Sequence, residues 1–163
     1  MRLAVISDTH LPRGRRRLPD ACVAHLREAD LILHAGDLST LAVLSMLEAL
    51  GPPVAAVHGN VDDLDVVRRL PPARIVQAGD ARIAMVHDAG AAAGRLPRLR
   101  ARFPDADAVV FGHSHIPLHE AGDGFQIFNP GSPTDRRRQK THTMGLADVE
   151  DGRIAFRHVD LGT

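Results

Sequence analysis

Leu31-Ile32-Leu33-His34-Ala35-Gly36-Asp37, LILHAGD, is a short apolar run that stops at a glycine and leaves a carboxylate at its tip. Four other stretches end in the same manner: AVISDTH (Ala4–His10), VAAVHGN (Val54–Asn60), IAMVHD (Ile83–Asp88) and AVVFGHSH (Ala108–His115). A bounded run of apolar, largely β-branched residues reads as a strand buried on both faces. In open α/β sheets ligands gather at the carboxyl ends of such strands. Strands that finish in Asp, His or Asn therefore point to one shared site, with Asp37 near its centre.

Outward from this stretch the chain reads as strand Arg2–Ser7, a helix entered at Pro19 and running through Cys22, Leu26 and Ala29, strand Leu31–His34, and helix Leu41–Leu50. Ser39 or Thr40 can cap that helix, and Gly51-Pro52-Pro53 stops it. Strand Val54–Val57 and a short helix over Asp63–Leu70 complete an alternation that implies a parallel sheet with right-handed crossovers. The second half differs. Arg74–Gln77 and Arg82–His87 flank Ala78-Gly79-Asp80 as a hairpin. A helix over Arg95–Phe103 and strands Ala108–Phe111, Phe125–Phe128, Thr143–Val149 and Arg153–Val159 follow, the last two joined at Asp151-Gly152, a favoured hairpin turn. The expected architecture is α/β in the α+β sense: a four-layer αββα sandwich of two mixed sheets between helices, in a single domain over residues 1–163.

Composition restricts the function classes. A chain of 163 residues, 44% hydrophobic and 25% charged, can bury a sizeable core. Its formal net charge is zero and it has no Trp or Tyr. No strong duplex nucleic-acid binding and no aromatic platform for single strands are expected. Cys22 is the one cysteine, which excludes an intrachain disulfide and a cysteine metal cluster. The chain enters a strand directly at MRLAVISD and holds no membrane-length apolar run, so the expected location is the cytoplasm, with no membrane partner.

The ten histidines are the unusual feature. Asp8, His10, Asp37, Asn60, His87, His113 and His115 offer two carboxylates, an amide oxygen and four imidazoles at strand ends. That inventory exceeds one four- to six-coordinate ion but suits two if a carboxylate is shared. Two ions about 3.5–4 Å apart form a clamp that stabilises both the attacking and the leaving oxygen of a phosphate ester. The mixed nitrogen and oxygen donors favour Mn²⁺, Fe²⁺, Zn²⁺, Co²⁺ or Ni²⁺ over Mg²⁺ or Ca²⁺, and of these Mn²⁺ is the expected metal.

SDTH at Ser7–His10, GD at Gly36-Asp37, GN at Gly59-Asn60, His87 and GHSH at Gly112–His115 stand in an order that resembles the calcineurin-like metallophosphoesterase superfamily. As a small single-domain chain it resembles the YfcE/Vps29-like phosphodiesterase subfamily, and NPGS at Asn129–Ser132 extends the resemblance. It runs from Arg2 to about Val159, nearly the whole chain. The resemblance implies one metal on Asp8, His10, Asp37 and His115 and a second on Asp37, Asn60, His87 and His113, with Asp37 bridging. Asp37, Asn60 and His113 are then the catalytic positions around a metal-bridging hydroxide nucleophile. In larger relatives a histidine that protonates the leaving group follows the asparagine. Here Val61 follows it, which implies a preference for esters with good leaving groups or for diesters whose leaving oxygen a metal can stabilise.

The expected substrate is a small phosphate ester, including a nucleotide-like one, and a homo-oligomer is compatible with the sequence. Two arginine clusters leave these loops, and Arg13, Arg15, Arg136 and Arg137 are candidates to hold substrate through the guanidinium fork, with His119 a further candidate. His58 is a candidate proton donor. His34 reads as a buried or ligand-supporting residue, and His25, His142 and His158 as surface or packing residues. Asp88 reads as a turn residue, with a hydrogen bond to a metal ligand as the alternative. A non-catalytic protein-interaction scaffold of the Vps29 type is the alternative function. The complete donor set favours catalysis over it.

Overall fold

The computed structural model describes residues 1–163. In chain order its elements are β1 (Arg2–Ile6), α1 (Asp20–Arg27), β2 (Leu31–His34), α2 (Leu41–Glu48), β3 (Val54–Ala56), α3 (Leu64–Arg69), β4 (Ala73–Ala78), β5 (Ala81–Val86), α4 (Arg95–Arg102), β6 (Ala108–Val110), β7 (Leu118–Gly122), β8 (Phe125–Asn129), β9 (Thr143–Glu150) and β10 (Arg153–Asp160). They form two five-stranded sheets, in the orders β10-β9-β1-β2-β3 and β4-β5-β6-β8-β7. β1, β2 and β3 are mutually parallel, as are β5, β6 and β8, while β9 pairs antiparallel with β1 and β10, β4 with β5 and β7 with β8.

Strand alternation builds the layers. Leu3 and Val5 of β1 face the second sheet, where they share a core with Leu33, Ile83, Met85, Val110 and Phe128. Ala4 and Ile6, pointing the other way, pack with Cys22 and Leu26 of α1, Leu44 and Leu47 of α2 and Val66 of α3. On the far side Val109, Phe111 and Ile127 pack with Leu99 of α4. A sheet covered on both faces needs apolar residues at every position, which is why these strands read as continuous apolar runs. The αββα sandwich follows, with one of its outer layers supplied by α4.

Two expectations need correction. Thr40 occupies the N-cap position of α2 but makes no capping hydrogen bond, and its Oγ1 is buried without a partner. Asp63 does cap α3, accepting from Val66 N at 2.9 Å. The strand β7 was not expected. It is a half-exposed edge strand, LHEAG, with no apolar alternation, and it pairs with β8 across Asp123-Gly124. Both turn residues have positive φ, the arrangement also seen at Asp151-Gly152.

Candidate metal centre

The carboxyl ends of the parallel strands converge at one edge of the sandwich. The loop after β1 carries Asp8 and His10, that after β2 carries Asp37 and that after β3 carries Asn60. From the second sheet, β5 delivers His87, and β6 delivers His113 and His115. Main-chain hydrogen bonds tie these loops together: Asp8 N to Gly36 O at 2.9 Å, His10 N to Asp37 O at 3.0 Å, and Gly112 N to His87 O at 2.9 Å. Asp8, His10, Asp37, His113 and His115 all have φ between 45° and 68°. A left-handed backbone is uncommon for non-glycine residues, and here it bends each loop sharply enough to aim its side chain inward.

Glycines allow the loops to approach. A Cβ on Gly112 would lie 2.7 Å from both Asp8 Oδ2 and Ser7 Oγ, and one on Gly59 would collide with Asp37 Oδ1. The apolar run followed by glycine, so evident in the sequence, is thus a packing requirement of the site.

The donors fall into two groups. In the first, His115 Nε2 is 3.3 Å from Asp8 Oδ1 and 3.2 Å from His10 Nε2, and His10 Nε2 is 3.7 Å from Asp37 Oδ2. In the second, His87 Nε2 is 3.3 Å from Asp37 Oδ2 and 3.1 Å from Asn60 Oδ1, with His113 Nδ1 3.0 Å from the same amide oxygen. Asp37 Oδ2 thereby stands between the groups. Asp8 also lies close to both, since its carboxylate belongs with His10 and His115 and equally with Asp37 and His87.

Tautomers define what these atoms can do. His87 Nδ1–H donates to Ala35 O at 2.8 Å, and His115 Nδ1–H donates to Asp135 O at 2.5 Å. Each leaves its Nε2 lone pair directed at carboxylate oxygens, which are themselves acceptors. Lone pairs facing lone pairs at about 3.3 Å, in a buried setting, need a cation or a proton between them. The donor set fits divalent metal.

Electrostatics agree. Burial holds the His10 imidazole below its ordinary range, opposed in part by Asp37 and Asp8. Burial works against ionised Asp37, yet its hydrogen bonds and charge interactions with His87, the Val61 N–H and His10 keep it below the usual carboxylate range. For His87 burial is outweighed by Asp37 and Asp8, which favour a proton on Nε2 hydrogen-bonded to Asp37, so its pKa rises in the absence of a cation. The buried His34 is held down to about 4 and stays neutral. Gly36 N–H donates to its Nδ1 at 3.2 Å, so its Nε2–H points to Thr9 Oγ1 at 3.0 Å. It supports the Asp8–His10 loop, as expected of a ligand-supporting residue.

Three supports were not foreseen. Asp62 accepts from Asp37 N, Gly59 N and Ser39 N at 3.1, 2.6 and 2.6 Å and so binds the β2 and β3 loops together. The acid two residues after Asn60 was the available signal. The loop after β8 forms the second support: Asn129 Nδ2 donates to Gly112 O, Ser132 Oγ to Asp8 O, and Thr134 Oγ1 to Thr9 O. The third is the pair Arg16–Asp135 at 3.0 Å, which holds the acceptor of His115 in place.

The substrate-contact candidates are scattered. Arg136 Nη1 donates to Gln139 O, and Arg13, Arg15 and Arg137 are exposed. None of the four makes a hydrogen bond or ion pair with the ligand set. His119 is placed elsewhere: it lies on β7, its ring 5.7 Å from that of Phe128 and its Nε2 2.9 Å from Gln126 Oε1. His158 stacks on Phe128 at 4.4 Å as a packing residue. Asp88 Oδ1 accepts from Gly90 N at 2.7 Å, a turn role.

With this geometry in view, the chain's relatives fall into place. The calcineurin-like phosphoesterase superfamily domain pattern matches residues 1–152, and the chain belongs to this family. A probable metallophosphoesterase of Methanothermobacter thermautotrophicus is 35% identical over 148 residues, covering 90% of this chain and 85% of that protein. A phosphodiesterase of Methanocaldococcus jannaschii is 23% identical over 80% of this chain and 83% of its own. Among solved structures, Entamoeba histolytica Vps29 in complex with Zn²⁺ superposes with a TM-score of 0.77 at 21% identity, covering 99% of this chain and all of that one. That likeness is one of fold. The family uses divalent metals, and no helix of this chain is long and apolar enough to cross a membrane.

Proposed function

We propose that the chain is a dinuclear-metal-dependent phosphoesterase, acting chiefly on diesters. The observation that carries this reading is the placement of Asp37 Oδ2 between His10 and His87, with the tautomers of His87 and His115 locked so that their free lone pairs face carboxylates. Asp8, His10, Asp37 and His115 would hold one ion, and Asp37, Asn60, His87 and His113 the other, with Mn²⁺ the favoured metal. When bound, such ions supply Lewis acidity to phosphoryl oxygens and hydroxide at neutral pH.

The chain's own residues then position and exclude. Asp62 and the Ser132–Thr134 loop keep the ligand loops rigid, so the donors need little reorganisation during reaction. The side chain after Asn60 is Val61, 49% exposed, and the one after His115 is Ile116, 50% exposed. Neither can give a proton to a leaving group, but both offer apolar surface to an aryl or nucleoside substituent. Bis(4-nitrophenyl) phosphate, whose leaving group departs without protonation, should therefore be hydrolysed far faster than an alkyl phosphate monoester.

The test is elemental analysis of the purified protein together with 4-nitrophenyl mono- and diester assays after chelation and return of Mn²⁺ or Ni²⁺. Metal-restored diesterase activity is expected. Full metal occupancy with no hydrolysis of any ester would favour the second reading, a protein-docking scaffold, to which the fold likeness with Vps29 points.

A further inference from the structure

A groove of about 260 Å³ opens directly beside the second donor group, lined by His58, Gly59, Asn60, Pro72, Val86, His87, Asp88 and Arg102. Asn60 and His87 are candidate metal ligands, so a phosphate ester held by the proposed ions would have one substituent at the mouth of this groove. We infer that the groove receives the arm of the substrate retained after hydrolysis, and that Arg102 selects an arm bearing its own anionic group. This deepens the proposed function and rests on it.

α4 carries four arginines, and their partners set one of them apart. Arg95 donates to Gly90 O, and its guanidinium lies 5.1 Å from the Phe111 ring centroid. Arg98 donates to the carbonyls of Ala89, Ala91 and Ala93 and thereby folds down the loop after Asp88. Arg100 donates to Asp123 O at 2.7 Å. Arg102 makes no hydrogen bond and no ion pair. Its Cζ lies 5.0 Å from the ring centroid of Phe103, a contact that uses none of its N–H donors. A planar guanidinium fork suits bidentate capture of a phosphate or carboxylate.

The other charge in the lining is Asp88, whose Oδ1 is engaged by Gly90 N–H in its own turn. An arm carrying a cation to Asp88 would be repelled by ions at the donor groups, whereas an anionic arm is attracted by them and by Arg102 together. The sign of the selection follows. The clusters at Arg13–Arg17 and Arg136–Arg138 contribute nothing to this lining, and the guanidinium that shares a groove with the ligand set comes from α4.

The probe pair is thymidine 5′-(4-nitrophenyl phosphate) with and without a 3′-phosphate, assayed on the Mn²⁺-loaded full chain. Arg102→Gln should raise KM for the 3′-phosphorylated ester about tenfold and leave KM for its 3′-hydroxyl counterpart within about twofold, with kcat unchanged for both. Arg102→Lys should fall between. Calorimetry with thymidine 3′,5′-bisphosphate supplies a readout independent of turnover, and the same variant should weaken that binding about tenfold. Equal KM values for the two esters in the unaltered protein, or an equal rise for both in Arg102→Gln, would overturn the selection while leaving the phosphoesterase reading intact. Absence of hydrolysis would remove that reading, and the calorimetric arm would then decide: weakened bisphosphate binding still supports the groove as an anion seat, and undiminished binding overturns it.

Discussion

The two donor groups share a carboxylate but not an environment. Asp8, His10 and His115 are nearly closed off, at 0%, 7% and 1% exposure, whereas Asn60 and His113 in the other group are open to solvent. The first group lies under the loop after β8, clamped by Ser132, Thr134 and the Arg16–Asp135 pair. The second is held chiefly by Asp62 and borders the groove of Arg102. On the proposed function the closed group retains its ion, and the exposed pair Asn60 and His113 gives a substrate access to the other.

That contrast can be broken by substitution. His115→Ala should remove the ion of the closed group and reduce diesterase activity by at least about a thousandfold. His113→Ala should spare that ion and empty the open group. If both variants lose metal to the same extent and at the same chelator concentration, the two groups are equivalent and the contrast is void. A smaller effect is expected at the supports. Asp62→Asn keeps the shape but sets an NH2 donor where a carboxylate oxygen accepts, so at least one of the three N–H···O bonds is lost, and the change should cost about 10–100-fold in activity or metal affinity, mainly at the open group. Equilibrium dialysis with Mn²⁺ distinguishes which ion is loosened.

Away from the loops, Phe128 is fully buried between the sheets and stacks on Phe156 at 4.6 Å. Phe128→Ala should lower stability by about 3–5 kcal/mol without changing metal stoichiometry in the folded fraction, as read by urea denaturation. The least of the effects concerns pH. His34 has its pKa depressed to about 4 by burial, so the unfolded chain takes up its proton first. Metal-free protein should keep this contribution in full above about pH 6.5 and lose it as pH falls toward 4, by about 3 kcal/mol at most. His34→Gln should flatten that part of the pH profile of Tm.

Much of this architecture was legible because buried parallel strands leave a strong local mark. LILHAGD and its four counterparts each show an apolar run, a break and a donor, and every one of those runs is a strand whose end faces the site. The residues without a local signal act through distance or through the absence of a pattern. Ser132 and Asp8 are 124 positions apart, and nothing local in Asn129–Ser132 says that its hydroxyl reaches that carbonyl. Arg102 is one arginine among four on a short helix, and only the pairing of the other three makes it distinctive. β7 lacks alternation because none of its five residues is buried, so neither face has to be apolar, although Asp123-Gly124 carried the same turn signal as Asp151-Gly152. His119 stood close in sequence to His115, yet the chain turns between them and carries it to the aromatic face of Phe128.

The central claim is that one carboxylate serves both groups, and the metal content of Asp37→Asn tests it most directly. Elemental analysis should find about two equivalents in the unaltered protein and, in the variant, a fall in both together, with diesterase activity abolished. A variant that keeps one equivalent at undiminished affinity would contradict the shared role of Asp37.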